Sequence, residues 1–503
     1  MPVTSPALVT AVEMRALEAK AVLSGVSEDA LMEEAGAGMA EVVRQFWPRA
    51  GAAVVFCGKG HNAGDACVLS RHLLDAGWQV EVRAAFPPES WRALARQKLE
   101  AISARVTFAA PESEELPSRS SLLLVDGLLG TGAGGVLKSP VREAARMMNL
   151  QRERHHADTL AIDLPSGLDA DTGAADADAV VADVTVTLGY AKCGLVAAGA
   201  ENHVGRIALV PLALPLPDKA AERPQLITPQ VLRPLLQRRA FSMHKGQAGR
   251  VGIVAGSRGL TGAARLAATA AVASGGGLVT LFCPHDVYEI LAASCPPEVM
   301  VRPVHSCREV MEFPLDAIGI GPGMGAAPPP YIAALLRDDP RPVIVDADAL
   351  NAMAAHRISL AERTGGPRLM TPHPGELARL AQTFASDADN PASALAAAMN
   401  ATVLGKGARS AVIESGRPLL YNTTGHPMMA KGGFGDVLTG FCTTFAAQGV
   451  PLREAAALGS WLLGFAAEQA RIVDGNEVES FTPSRLIEMS GRALAVLRYG
   501  DVW

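Results

Sequence analysis

The chain has 503 residues, 49% of them hydrophobic and 19% charged, with a formal net charge of −6. That length points to two or three domains, each able to bury a sizeable core, and the apolar content excludes a disordered chain. With no basic tail or stripe, nucleic acid is not expected as a partner.

The first elements are helical. Met14, Leu17 and Val22 have helical spacing, and Ser27 reads as the N-cap of a second helix that ends near Trp47-Pro48. Strands and helices then alternate. The runs Ala53–Cys57, Val80–Arg83, Leu122–Asp126, Leu160–Asp163 and Val184–Leu188 have the look of buried parallel strands, with a turn over Gly58–Asp65 and then a helix through Leu74. Pro211, Pro215 and Pro217 break the pattern, so a linker is expected at 212–225. A second series follows in Val251–Ala255, Leu278–Phe282, Ala317–Ile320, Val343–Asp346, Leu369–Thr371 and Ala411–Glu414, and the chain ends in helix, most clearly over Ala455–Ala470. The expected fold class is α/β, with parallel sheets covered on both faces.

The seven cysteines are scattered and lack CxxC spacing, which fits reduced thiols in a cytoplasm better than a disulfide frame or a zinc site. No basic segment followed by an apolar core opens the chain, so no signal peptide is expected. The uncharged run Leu266–Pro284, broken by Gly275-Gly276-Gly277, reads as helix, turn and strand and not as a membrane span.

Chemistry-bearing residues gather at strand ends. Gly58-Lys59-Gly60-His61-Asn62-Ala63-Gly64-Asp65 follows one strand. Asp126 ends another, before the glycine-rich stretch Gly127 to Gly135, and Asp163 ends a third, before Leu164-Pro165-Ser166-Gly167. Lys192 follows a fourth. Carboxyl ends of parallel strands open into one crevice, so these groups should converge. These three stretches resemble the signatures of NAD(P)H-hydrate epimerases over about residues 10–211. The resemblance implies a Rossmann-like domain, placed at 1–215, that interconverts the R and S forms of hydrated NADH and NADPH. It implies a potassium ion held by Asn62, Asp126 and Ser166, an all-oxygen set suited to a hard cation. It also implies a nucleotide site made by His61, Asn62, Ala63, Gly64 and Asp65, by Gly130, Thr131, Gly132, Ala133, Gly134, Gly135 and Val136, and by Asp163. Epimerisation needs a proton shuttle, for which Asp163 and Lys192 are the candidate pair. The chain departs from the family where Ala63 and Ala66 stand for glycine, and the added methyls are expected to crowd a close backbone approach.

In the second half, Lys431-Gly432-Gly433-Phe434-Gly435-Asp436 opens a helix. Glycine N–H groups at a helix start form an anion site. Asp436 reads either as an N-cap or as an acid/base beside a phosphoryl group. His244-Lys245-Gly246, Thr371-Pro372-His373-Pro374-Gly375-Glu376 and Gly432 to Gly440 resemble the ADP-dependent NAD(P)H-hydrate dehydratases over about 226–500. That resemblance implies a ribokinase-like domain, placed at 226–503. It would phosphorylate the hydrate's hydroxyl from ADP, or ATP, with magnesium, and expel phosphate to leave AMP and the restored nicotinamide. By the same match, Asp436 is the catalytic base. Ala263, Gly323, His373 and Asp436 contact the hydrate, while Lys406, Gly407, Ala408, Arg409, Ser410 and Gly435 contact the adenine nucleotide. Lys431 and Phe434 replace a threonine and a small residue, so Lys431 is placed to add a cation near the phosphates. A homo-oligomer is expected by analogy with both families. The alternative reading is a ribokinase-like small-molecule kinase fused to a non-catalytic nucleotide-binding or scaffold domain.

Overall fold

The structure, a computed structural model, describes residues 6–117, 121–132, 136–326, 329–385, 390–474 and 478–500. Its contacts divide the chain into a unit that ends at Leu226 and a unit that begins at Ile227.

The first unit contains strands β1 (Leu8–Val9), β2 (Ala52–Cys57), β3 (Gln79–Ala84), β4 (Thr107–Phe108), β5 (Leu122–Gly127), β6 (Asp158–Ile162), β7 (Val184–Leu188), β8 (Ala191–Lys192) and β9 (Arg206–Val210). Its main helices are α1 (Ala11–Leu23), α2 (Glu28–Phe46), α3 (His61–Asp75), α4 (Ala93–Ile102) and α5 (Val141–His155), with the short α6 (Glu201–Val204). Seven strands form one parallel sheet in the order β4-β3-β2-β5-β6-β7-β9. All six residues of β2 are buried, as a strand covered on both faces requires. Val54, Phe56 and Leu124 pack with Ala144, Ala145 and Met148 of α5. The helices α2 and α3 cover the opposite face, so close together that a Cβ on Gly36 would stand 2.2 Å from a methyl of Val68. The chain leaves β2 toward one edge and returns through β5 toward the other. The crevice between their carboxyl ends is therefore the switch point where such sheets bind ligands. A separate parallel pair, β1 with β8, sets Val9 opposite Lys192.

The proline-rich stretch expected as a linker lies against this unit. Leu212 and Leu214 are buried. The Ala213 N–H donates to Glu34 at 2.8 Å, and the Tyr190 hydroxyl to the Pro215 carbonyl at 3.0 Å. Arg223 pairs with Glu13 at 2.6 Å.

The second unit adds strands β10 (Gln225–Ile227, where the chain enters), β11 (Arg250–Val254), β12 (Leu278–Cys283), β13 (Val299–Pro303), β14 (Ala317–Ile320), β15 (Val343–Val345), β16 (Arg368–Met370), β17 (Thr402–Gly405), β18 (Ala411–Ile413) and β19 (Leu420–Asn422). Its helices are α7 (Pro229–Leu232), α8 (Thr261–Ala273), α9 (Tyr288–Ser294), α10 (Cys307–Met311), α11 (Pro329–Asp338), α12 (Ala347–His356), α13 (Pro374–Phe384), α14 (Pro391–Met399), α15 (Phe434–Ala447), α16 (Leu452–Asp474) and α17 (Pro483–Tyr499). The sheet order is β10-β19-β18-β17-β16-β15-β14-β11-β12-β13. The strands from β13 to β17 are parallel, but β18 runs antiparallel to β17, and β19 antiparallel to β18. Only residues 406–410 separate β17 from β18, too few for the crossover that a parallel neighbour needs. Alternation along β14 divides the two faces. Ile318 and Ile320 join the core with the layer α10 to α14. On the other face, a Cβ on Gly319 would lie 2.4 Å from the Thr443 hydroxyl of α15, so this helix rests on bare backbone. Each unit is thus a three-layer αβα stack, as expected, and β4, β9, β10, β13, β17 and β19 extend the two sheets beyond the strands read from the sequence.

Candidate active sites

In the first unit, the crevice between β2 and β5 holds a cavity of about 940 Å³. His61, Asn62, Asp65, Gly130, Thr131, Gly132 and Asp163 all line it. Of the other expected nucleotide contacts, Ala63 is fully buried and Gly64 faces α2, where a Cβ would strike Met32 at 2.6 Å. Val136 is exposed, and Ala133, Gly134 and Gly135 lie outside the described residues. The two alanines are absorbed by packing: the Ala66 methyl sits where a Cβ on Gly127 would be, 2.6 Å away.

Asn62 lines the cavity, while Asp126 and Ser166 are buried against each other and connect to Asn62 through Leu129, whose N–H donates to the Ser166 hydroxyl at 2.9 Å. The Ser166 hydroxyl donates to Asp126 at 2.7 Å and its N–H to the other carboxylate oxygen at 2.7 Å. The Asn62 amide donates to the carbonyls of Leu129 at 2.8 Å and Ile162 at 3.2 Å. Burial pushes the Asp126 carboxyl up to about 6, against the Ser166 and Leu128 bonds that hold it down. One carboxylate among an amide and a hydroxyl oxygen is a donor set suited to a monovalent hard cation. Among the described residues, no group of three His, Cys, Asp or Glu side chains forms a site for a more highly charged metal.

Asp163 follows β6 with a left-handed backbone, φ 67°, a conformation that costs a non-glycine residue energy and collects at functional sites. Its carboxylate takes the ammonium of Lys192 and the Leu188 N–H, and that ammonium also donates to the Leu188 carbonyl at 3.1 Å. Lys192 is fully buried at the end of β8 and reaches the cavity through Asp163. Three further carboxyls line the same space, Asp65 from α3, Glu18 from α1 and Glu28 from α2. Burial, then the charges of Asp163 and Glu18, raise Asp65 far above the usual carboxylate range, with Lys192 opposing. Glu18 is likewise raised, mainly by burial. The part played by Glu18 and Arg15 escaped the sequence, because both sit on a helix outside every glycine-rich stretch.

In the second unit, Asp436 is the third residue of α15, and the N-cap is Gly433 with φ 101°. Asp436 is therefore not the cap; it is a half-buried acid on the helix's first turn. Burial, then the nearby Asp346, raise it to about 7, and Lys406 holds it down. Lys406 turns inward from the end of β17 to pair with Asp346 at 2.7 Å, and its ammonium lies 3.9 Å from Glu376. A Cβ on Gly435 would stand 3.3 Å from that ammonium. Asp346 is buried, and its second oxygen accepts from the Thr439 hydroxyl at 2.8 Å, one turn beyond Asp436 on α15. Ala347 beside it has φ 49°. Burial works to lower Lys406, but Asp346, Glu376 and Asp436 together raise it.

His373 caps α13: its ring accepts from the Gly375 N–H at 3.0 Å, and Glu376 reaches back to the His373 N–H at 2.8 Å. Gly323, φ 59°, lies against Ala263 and accepts the Ser257 hydroxyl bond at 2.9 Å. The loop 406–410 is closed by Ser410, whose hydroxyl donates to the Gly407 carbonyl at 3.0 Å and accepts its N–H at 3.2 Å. Ala408 is exposed, and Arg409 reaches the Asn422 carbonyl at 3.5 Å. Lys431 does not stand free to meet phosphates: its ammonium donates to the carbonyls of Glu479 and Phe481. Phe434 turns inward to stack on Phe481, 5.8 Å between ring centroids. The glycine run between them keeps its space open, since a Cβ on Gly432 would meet nothing within 4 Å.

Comparison with known proteins matches both halves. A family model described as NAD(P)H-hydrate dehydratase covers residues 251–490, and one described as YjeF-related protein N-terminus covers 28–194. The "Bifunctional NAD(P)H-hydrate repair enzyme Nnr" of Moorella thermoacetica is 37% identical over 92% of this chain and 92% of its own. That of Pyrobaculum aerophilum is 33% identical over 97% of this chain and 98% of its own. An ADP/ATP-dependent NAD(P)H-hydrate dehydratase from Bacillus subtilis is 26% identical over 54% of this chain and 98% of its own, at a TM-score of 0.46. On the near full-length match to proteins with both halves, the chain belongs to the family of bifunctional NAD(P)H-hydrate repair enzymes.

Proposed function

We propose that the chain repairs hydrated NADH and NADPH in two steps, R to S epimerisation in the unit that ends at Leu226 and nucleotide-dependent dehydration of the S form in the unit that begins at Ile227. The observation that carries this reading is the presence, in one chain of this family, of two separate acid sites at strand ends, one in the crevice between β2 and β5 and one where β15 and β17 meet the first turn of α15. A kinase fused to a scaffold would not need the first of them, and the full-length match to repair enzymes favours the repair reading over that alternative.

For epimerisation, the hydroxyl-bearing carbon must lose its oxygen or the ring must open, and water must add again from the other face. Asp163, held by Lys192, is the proton-handling pair in the cavity. Asn62, Asp126 and Ser166 would hold potassium, which supplies fixed positive charge beside the nucleotide. Replacing potassium with tetramethylammonium slows epimerisation on this reading and leaves dehydration untouched; equal rates in the two buffers would remove the ion from the account.

For dehydration, the nucleotide's terminal phosphoryl group moves to the hydrate's hydroxyl. Phosphate then leaves as the ring nitrogen's lone pair makes a carbon–nitrogen double bond, and loss of a proton from the adjacent ring carbon returns the electrons to nitrogen and restores the dihydropyridine. Asp436 takes the hydroxyl proton, and the open N–H groups of the glycine run face the phosphoryl charge. Lys406 supplies a cation next to Gly435. Ala263, Gly323 and His373 are the proposed hydrate contacts, with loop 406–410 on the nucleotide. ADP is the proposed donor, with ATP as the second candidate. Magnesium enters with the phosphates and keeps most of its water, so it needs no protein cage. A cytoplasmic homo-oligomer fits seven free cysteines and the family's habit; light scattering of the purified chain tests the assembly.

Asp163→Asn separates the two halves. It should slow repair of pure R hydrate about 100-fold or more and leave S-hydrate repair at the unsubstituted rate. Equal loss on both epimers would contradict the assignment.

A further inference from the structure

We propose that Asp65 is the proton donor of the epimerisation, in the cavity that it lines together with Asp163. The inference rests on the reading of the first unit as the epimerase and adds the acid that this reading lacks.

The geometry sets the two carboxyls in opposite roles. Asp163 is tied on one side of the cavity by the Lys192 ammonium and the Leu188 N–H. Asp65 projects from α3 into the same cavity and has no hydrogen bond or ion pair among the described residues. The charges it feels are Asp163, Glu18 on α1 and Lys192; Glu18 in turn feels Arg15 on its own helix and Glu28 on α2, and Lys59, His61 and Arg92 line the same cavity. Three carboxyls around one buried ammonium cannot all be ionised cheaply. Asp65 and Glu18 both lack a hydrogen bond or ion pair among the described residues, but Glu18 has Arg15 near it, while the one cation Asp65 feels is the Lys192 that Asp163 already holds. Asp65 is therefore the one that keeps its proton, in keeping with its strongly raised affinity for it. A pair of acids whose surroundings drive them apart is the usual arrangement of an acid and a base.

The chemistry needs that asymmetry. In the first step, the carbon–oxygen bond breaks with its electrons on oxygen, which takes the Asp65 proton and leaves as water. The ring nitrogen's lone pair makes the carbon–nitrogen double bond. Water then adds to the opposite face: its oxygen makes the new carbon–oxygen bond, the double-bond pair returns to nitrogen, and its proton passes to Asp163. Hydroxide leaves poorly, so departure demands an acid. Addition of water to a cation asks for only a weak base, which an ion-paired carboxylate provides. One proton has moved from Asp65 to Asp163, and exchange with solvent restores the start.

The test uses the full chain with pure R hydrate, potassium and no nucleotide, and follows formation of the S epimer from acidic to alkaline pH. The unsubstituted chain should lose rate as pH rises, because the acid loses its proton. Asp65→Asn should lower kcat about 100-fold with little change in KM, and its residual rate should no longer fall with pH. Asp65→Glu should keep the fall at a reduced rate. The inference is overturned if Asp65→Asn keeps most of kcat, if the fall with pH persists in it unchanged, or if only KM rises, which would make Asp65 a binding contact. No interconversion by the unsubstituted chain would overturn the epimerase reading itself.

Discussion

Asp436 combines two properties that a base for phosphoryl transfer needs: a place on the first turn of α15, next to the glycine N–H groups, and an affinity for protons raised to about 7. Asp436→Asn should lower nucleotide-dependent dehydration about 100-fold or more and leave epimerisation unchanged; survival of dehydration would reduce Asp436 to a surface acid. Because the base acts ionised, the dehydration rate should climb as pH rises through about 7, and the variant should lose that limb. The sign for folding is the reverse. A carboxyl raised from 3.8 to about 7 binds more protons folded than unfolded between those values, so its contribution to stability declines as pH rises through that window. Lys406→Met tests the neighbour. It removes the charge that holds Asp436 down, so the limb should move to higher pH. It also leaves the buried Asp346 without its cation, at a cost of about 3 kcal/mol measured by chemical denaturation. An unmoved limb would mean that Lys406 does not act on Asp436. The sequence named Asp436 and Lys406 but not the residue between them. Asp346 was visible as an acid at a strand end, yet its partners come from β17 and α15, 60 and 93 residues away, and no spacing reports such a meeting.

At the scale of elements, glycines and alanines at the helix–sheet contacts set how closely the layers approach. Ala63 and Ala66 looked like obstacles to a ligand, because sequence alone does not say which way a methyl points. In the fold, Ala63 is buried and the Ala66 methyl fills the space above Gly127. Gly127→Ala should therefore cost about 1–3 kcal/mol by overpacking against Ala66 and the Phe56 carbonyl. Combined with Ala66→Gly it should cost less than the sum of the two single changes, read from urea unfolding; strict additivity would mean that the two positions do not touch. Buried strands such as Ala52–Cys57 were legible from their unbroken apolar runs, and the turns from their glycines. The antiparallel course of β18 was not, since it follows from the shortness of loop 406–410 and not from the strand's own residues. The proline run at 211–217 marked the end of the first βα series correctly as a place without strand or helix. Its leucines, though, are spent on packing against the first unit, which its linker-like composition concealed.

At the scale of the whole molecule, the account is that one chain carries two complete sites, one that interconverts epimers without a nucleotide and one that consumes a nucleotide to finish the repair. The measurement that tests this most directly is the absorbance of reduced nicotinamide after the chain is added to a mixture of R and S hydrated NADPH, with potassium and magnesium, in the presence and absence of ADP. The account predicts recovery of the whole mixture with ADP and none without it. Recovery that runs to the S fraction and then stops would contradict an active epimerase, and no recovery with either ADP or ATP would contradict the repair function as a whole.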